Sequence, residues 1–324
     1  MISPPGEISI IVSPHQKKER IDLYLKNHIT DMSRSKVKKL IDAGMVKVNS
    51  KPVKASHLIS PDERIIVQLL PREKPAFEPE KIPLDIIYED DYLIVVNKPA
   101  GMVVHPGHGN WSGTLMNALL GHNEELLDEG EDFRAGIVHR LDKDTTGLLV
   151  TAKDELTLRR LSGQFKAKTV ERKYNAIVWG IPKKPQGIIE GNLGRSNRDR
   201  KIFTIRPDGK YAMTSYTVLE RLDFLSLIEL KLSTGRTHQI RVHLSHFGHP
   251  VFGDPVYRGR GVNFAGLISY QREICGRCLK IMTRQALHAK TLGFIHPASG
   301  EKMSFDSDLP EDMKETLGIL REEN

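Results

Sequence analysis

The spacing of apolar residues changes along the chain, and the changes divide it. In ERIDLYLKNHI, residues 19 to 29, Ile21, Leu25 and Ile29 recur at every fourth position, which marks one face of a short helix. SRSKVKKLIDAG follows. It turns Val37, Leu40 and Ile41 to one side and Arg34, Lys36, Lys38 and Lys39 to the other, with Ser33 placed as N-cap and Gly44 as the stop. MVKVNSKPV then alternates apolar and polar residues around an Asn-Ser turn, and RIIVQLL reads as a closing strand. Helix, helix, hairpin and strand predict a small module over residues 15–72.

PREKPAFEPEKIP contains four prolines and mixed charges, so residues 73–82 read as a semi-extended linker. Beyond it the texture changes. LDIIYEDDYLIVVNKPAGMVVHP holds two apolar strand-like runs around an acidic turn. Strands then predominate to about residue 310, broken by a few helices such as LTLRRLSGQF. They do not alternate regularly with helices, and no long repeat occurs. Residues 83–324 are therefore expected to fold as an α+β domain on a largely antiparallel mixed sheet.

Composition narrows the function. The chain has 324 residues and a net charge of +7, which favours a polyanionic partner. The charge is concentrated: residues 16–72 carry 13 Lys or Arg against 6 Asp or Glu, as large an excess as the whole chain. No apolar run reaches the length of a membrane span, and MISPPGEISI does not read as a signal peptide. Two cysteines form no disulfide framework, and a reducing cytoplasm is expected.

Three motifs suggest chemistry and do not carry it. GHGNWSG lacks the spacing of a dinucleotide or Walker loop, so no cofactor is expected there. THQIRVHLSHFGHP supplies His238, His243, His246 and His249, yet the spacing fits no zinc pattern; helix-packed or RNA-facing histidines are the expectation. CGRC reads as two free thiols, Cys275 and Cys278, in loop-like surroundings. No metal site is expected.

HRLDKDTTGLLV is different. AGIVHRL before it and LLVTAK after it read as buried strands, which puts Asp142 at a strand end, on a turn held by rigid sheet. An isolated Asp in such a turn is ordinarily a cap. VERKYNAIVWG, a strand bearing Tyr174, and LSTGRTHQIRVHLSHFGHPVFGDPVY, with Arg236 and Arg241, change that reading. Together with GMVVHPGHGNWSGTLMNALL and RQALHAKTLGFIHPASGEKM, these ordered motifs resemble the RluA/RluD-type RNA pseudouridine synthases over almost the whole chain. The first module resembles the S-four-type RNA-binding domain, carried by Arg20-Ile-Asp, Ser33-Arg34-Ser35, Gly44 and the Val48-Asn49 turn.

The resemblance implies a pseudouridine synthase fold that isomerises uridine in structured RNA, with large-subunit ribosomal RNA or a pre-ribosomal particle as first candidate. No cofactor is needed, because the reaction is redox-neutral and loses no atom. It implies Asp142 as the catalytic carboxylate, with attack on the sugar, attack on the ring and proton abstraction all left open. Arg241 would keep that carboxylate charged, with Arg236 as second choice. Tyr174 would stack on the base, and Ile240 or Leu141 would add apolar packing. Arg140 or His139 would fill the gap left by the flipped base. Arg20, Ser33, Arg34, Lys36, Lys38, Lys39, Arg236 and His238 complete the RNA-binding set, with Arg195, Arg198, Arg200 and Lys201 as phosphate contacts or an exposed charged loop. A monomer is expected. Two other readings compete: a non-catalytic RNA-binding ribosome-assembly factor, and a hydrolase that releases the free base.

Overall fold

A computed structural model describes residues 7–29, 34–68, 78–107, 109–123, 126, 136–197, 199, 202–260 and 266–323, with the side chains of residues 35 and 36 outside the description. Ser33, residues 73–77 of the linker, Arg198, Arg200, Lys201 and the Lys36 side chain therefore lie outside it. The chain divides into two compact units, Met1–Ala76 and Phe77–Asn324.

The first unit runs β1 (Glu7–Ile11), α1 (Ile21–His28), α2 (Arg34–Asp42), β2 (Val46–Val48), β3 (Lys51–Pro52) and β4 (Arg64–Gln68). The sheet order is β1-β4-β2-β3. Asn49 and Ser50 both take positive φ, 47° and 67°, as a tight two-residue hairpin turn requires. Ile21, Leu25, Val37, Leu40 and Ile41 meet Val46, Ile65 and Val67 in one small core. β1 has no counterpart in the sequence reading. EISII is too short and too mixed to announce a strand, and it becomes one by pairing along β4.

The second unit comprises β5 (Ile86–Glu89), β6 (Leu93–Lys98), α3 (Leu115–His122), β7 (Thr146–Ala152), α4 (Glu155–Ala167), β8 (Glu171–Trp179), β9 (Gln186–Arg195), β10 (Phe203–Ile205), β11 (Lys210–Leu222), β12 (Leu225–Leu232), α5 (Gln239–His246), α6 (Ser269–Ile281), β13 (Leu287–Ile295), β14 (Lys302–Asp306) and α7 (Glu311–Glu322). Its ten-stranded sheet has the order β10-β9-β11-β12-β8-β13-β7-β6-β5, with β14 on β13. The pairing of β7 with β13 is parallel and the others described are antiparallel. The fold is thus the mixed α+β arrangement that the sequence predicts.

The centre of the sheet is buried on both faces. In β6, Ile94 and Val96 enter one apolar cluster while Leu93 and Val95 enter another. β7 divides the same way, Leu149 against Leu148 and Val150. That is why LIVV and LLV read as unbroken apolar runs. Each such side chain contributes about 2 kcal/mol by leaving water, and the result is a stiff platform beneath the segment that bears Asp142.

Two local expectations fail. CGRC is not in a loop. It lies in α6, and both thiols are fully buried. Burial pushes Cys275 up to about 12 and Cys278 up to about 11, so they behave as small apolar side chains. The described part of AGIVHRL, residues 136–141, is not a strand either. β13 pairs with β7 over just two residues, and among the described residues the rest of that edge meets one bridge, Ile137 to Thr151, and the His139 side chain. Gly136 permits the approach: a Cβ there would stand 1.7 Å from the Ala152 carbonyl oxygen.

Candidate active site

Asp142 sits on the irregular segment that leads into β7. Buried cations hold the peptide groups that follow it. Lys98, at the end of β6, donates from Nζ to the carbonyls of Pro99 at 2.7 Å, Met102 at 2.9 Å and Lys143 at 3.0 Å. Burial draws its pKa down to about 7, partly offset by Asp144. Arg284 donates to the Asp144 carbonyl at 3.0 Å, and its other edge grips both oxygens of Asp312 on α7 at 2.7 and 2.8 Å. Two consecutive carbonyls after Asp142 are thus fixed by cations from distant parts of the chain. The turn is made rigid by tertiary contacts, beyond what its own Asp and Thr side chains supply.

The carboxylate itself meets α5. GRTHQIR turns at His238, whose φ of 55° is left-handed, and the helix starts at Gln239. Gln239 pins the turn, since its amide oxygen accepts from the Thr234 hydroxyl at 2.7 Å and the Arg236 N–H at 3.0 Å. Arg241 then points into the interior. Its Nη1 donates to Asp142 Oδ2 at 3.0 Å, and its Nε and Nη2 donate to Asp254 at 2.7 and 2.9 Å. Asp254 is fully buried; its Oδ1 also accepts the N–H groups of Val256 and Tyr257. The Tyr257 ring lies 4.8 Å from the guanidinium. Burial opposes the charge on Arg241, but the bonds from Asp254 and then Asp142 outweigh it and hold its pKa above the ordinary arginine value.

One guanidinium between two carboxylates leaves an excess negative charge. Asp254 is sealed, whereas the Asp142 side chain keeps 18% of its surface accessible. The excess is therefore presented at Asp142. His238 Nε2 stands 3.8 Å from Asp142 Oδ1, while its Nδ1 meets the Tyr257 hydroxyl at 2.7 Å. That hydroxyl oxygen already accepts the Phe203 N–H at 3.0 Å, so its own proton is available for Nδ1. Burial lowers the His238 pKa, against the pull of Asp142, which favours a neutral ring beside the carboxylate.

Asp142 opens into a cleft of about 750 Å³ that also exposes Tyr174, Leu141, Ile240 and Arg236. Tyr174 projects from β8 and is almost wholly buried, and burial raises its phenol pKa. Its hydroxyl stays protonated at neutral pH. The structure thus brings Asp142, Tyr174 and Arg241 together from segments up to 99 residues apart.

The expected RNA-facing residues separate into groups. Arg140 and Arg236 are exposed at the cleft. His139 is turned inward: its Nε2 accepts the Val150 N–H at 3.1 Å and its ring stacks on Phe165 at 4.5 Å. Burial, with Arg172 nearby, pushes its pKa down to about 3, so it enters the wall as a neutral ring and not as a cation. His238 belongs beside Asp142, as described. Of the other histidines in its motif, His243 is buried against Thr214, His249 donates to the Trp179 carbonyl and His246 is exposed. In the first unit, Lys38 and Lys39 are exposed on α2. Arg20 and Arg34 flank buried Asp22, each at 3.0 Å, and remain 44% and 54% accessible.

Asp254, Tyr257, Lys98 and Arg284 are site residues that the sequence reading missed. Asp254 sits in FGDPVY, where Gly-Asp-Pro signals a turn. Its spacing of 13 residues from Arg241 gives no helical or strand register that would reveal the pair.

The family model described as RNA pseudouridylate synthase matches residues 92–246, and the S4 domain model matches residues 19–65. An uncharacterized RNA pseudouridine synthase of Chlorobaculum parvum is 46% identical over 323 residues, covering 97% of this chain and 98% of the relative. A ribosomal large subunit pseudouridine synthase D of Neisseria meningitidis is 45% identical over 309 residues, covering 93% of this chain and 79% of that protein. Among solved structures, human RNA pseudouridylate synthase domain containing 4 superposes with a TM-score of 0.58 at 28% identity, over 73% of this chain and 92% of that one.

Proposed function

The chain belongs to the RNA pseudouridylate synthase family and is an isomerase of uridine in RNA; from that premise we propose that Asp142 carries the reaction and that the substrate is large-subunit ribosomal RNA, free or in a pre-ribosomal particle. The name of the Neisseria relative supports the substrate. The observation that carries the catalytic assignment is the ion chain Asp254–Arg241–Asp142, which ends on a partly accessible carboxylate in a walled cleft.

Pseudouridine formation breaks the bond from uracil N1 to ribose C1′ and makes a bond from C5 to the same carbon. The C5 proton leaves and N1 gains one, so nothing is oxidised and no cofactor is required. Asp142 supplies the ionised oxygen that such a step needs, as nucleophile or as base. Arg241 holds and aims it through the 3.0 Å bond from Nη1. Tyr174 offers an apolar ring for the uracil and a neutral phenol close to C5. Arg140, exposed beside the cleft, is placed to occupy the gap when the uridine flips out. In the first unit Arg20, Arg34, Lys38 and Lys39 hold RNA phosphates. The protein works as a monomer in the cytoplasm.

The test uses an unmodified large-subunit ribosomal RNA transcript tritiated at uridine C5. The wild type should release tritium, and Asp142→Ala should lower kcat about 10⁴-fold or more. Affinity should survive, because it comes from phosphate contacts. Binding without tritium release by the wild type would leave the assembly-factor reading standing. Free uracil in the products would favour the hydrolase.

A further inference from the structure

The cleft is rich in positive charge. Among the described residues, six Lys or Arg line it, Arg140, Lys166, Lys168, Arg172, Arg236 and Arg241, against one carboxylate, Asp142. Arg241 is fully engaged by two acids. Arg140, Lys166, Lys168 and Arg236 are exposed and can be neutralised by solvent ions. Arg172 is neither. It is half-buried, and its Nε is shielded from solvent with no hydrogen-bond partner among the described residues. The acids near it on the sheet, Glu171 and Glu229, turn to Lys173 at 4.0 and 3.5 Å.

The surroundings of Arg172 are shaped for its guanidinium. One side lies over the Phe165 ring, 5.5 Å from its centroid. Another lies against Gly235, where a Cβ would come within 2.9 Å of Nη1. His139, stacked on the same phenylalanine, is kept neutral and so brings no competing charge. A shielded, charged donor left unsatisfied is destabilising, and the guanidinium that carries it borders the ligand cleft. Arg172 precedes Tyr174 by two residues on β8, so both side chains leave the same face of the strand. The step between them, roughly 6.6 Å, is comparable with the span from a nucleobase to a phosphate of its own nucleotide.

We propose that Arg172 forms a phosphate subsite in the cleft, receiving a backbone phosphate beside the uridine whose base reaches Tyr174. A planar fork suits a phosphate's two oxygens, and the phosphate's one negative charge matches a half-buried guanidinium that pairs with no acid among the described residues. The subsite rests on the RNA-uridine reading above.

The experiment measures tritium release from the C5-tritiated ribosomal RNA transcript across a range of salt. Arg172→Met should raise KM about tenfold. It should also make the slope of log KM against log salt shallower by about 0.7 to 1, the signature of one lost phosphate contact. Arg172→Lys should keep the wild-type slope. A Met variant with wild-type KM and slope overturns the subsite, as does a loss confined to kcat with the slope intact. If the Met variant folds poorly, Gly235→Ala gives the second test, since it displaces the guanidinium without removing it. KM should again rise, and an unchanged KM there sinks the proposal. A wild type that binds this RNA but releases no tritium removes the substrate reading itself, and the subsite with it.

Discussion

The two units each contain a three-membered ion cluster, and the clusters are inverse. In the second unit one buried arginine, Arg241, lies between two carboxylates. In the first, one buried carboxylate, Asp22, lies between two exposed arginines, Arg20 and Arg34. The central ion is sealed in both cases, so the surplus charge belongs to the outer members. The first unit therefore offers surplus positive charge to solvent, and the second offers a surplus carboxylate to a cleft. The same pairing physics presents exposed cations in one place, the phosphate contacts proposed above, and in the other a partly accessible carboxylate, the oxygen proposed to react. What differs is which sign of residue the fold buries.

The largest way to disturb this contrast is to alter the sealed end of the second cluster. Asp254→Asn removes one of the two charges that hold Arg241. The arginine would then lean on Asp142 alone and take more of its charge. The expected rate loss is about 100-fold in kcat, comparable with losing a supporting contact behind a reactive group. Stability should fall by about 3 kcal/mol, because a buried ion loses a partner. Asp254 touches the substrate in no proposed step, so KM should move little. Tritium-release kinetics with a denaturant titration check both effects. A variant with full kcat would show that Arg241 aims Asp142 without help from behind.

Much of this contrast is visible in the sequence, and the reasons for the rest are physical. The helix–helix–hairpin order was legible because its periods are local: Ile21, Leu25 and Ile29 on a helix, and Asn49-Ser50 at a turn. The meeting of Asp142 with Arg241 was legible through ordered motifs and not through spacing. Asp254, Lys98 and Arg284 were hidden because each acts through a tertiary contact. Lys98 binds a carbonyl 45 residues away and Arg284 one 140 residues away. AGIVHRL misled for a similar reason. Its apolar content shows burial, but a side-chain nitrogen, His139 Nε2, takes the backbone bond that a neighbouring strand would have made. CGRC misled because small residues say little about helix or loop until α7 packs against them.

Acid should separate the units next. His288 bridges the hydroxyls of Thr146 and Ser307 at 2.8 and 2.9 Å in the sheet that supports Asp142. Burial, with Arg284 and Lys290 nearby, lowers its pKa to about 4. The unfolded chain therefore takes up a proton near pH 6.5 that the folded chain refuses until about pH 4. Stability is lost as pH falls through that window, by about 2 kcal/mol between pH 7.5 and pH 5. His243, lowered to about 4, acts in the same direction. Asp22 differs. Burial would raise its pKa, but Arg20 and Arg34 outweigh that and hold it below 3.8, so its contribution persists until the pH drops below that value. Hydrogen exchange on the whole chain should show the second unit opening first as pH is lowered toward 5. His288→Gln should be less stable at neutral pH and lose less on acidification. Equal acid sensitivity in that variant would remove His288 as the cause.

The smallest expected effect lies at the outer edge of the first cluster. Arg34→Met leaves Asp22 with two bonds from Arg20, at 3.0 and 3.1 Å, so the buried carboxylate keeps a partner. Arg34 is more than half exposed, and pairs of that kind contribute about 0.5 kcal/mol. The melting temperature should shift by only a degree or two, since 0.5 kcal/mol is a small part of a domain's stability. RNA affinity should weaken by about two- to fivefold, with a slightly shallower salt dependence, as one phosphate contact among several is lost. A filter-binding titration at two salt concentrations resolves that change. A large loss of stability instead would mean that Arg34 serves the fold of its own unit, and the two clusters would then differ in burial without differing in what they present to RNA.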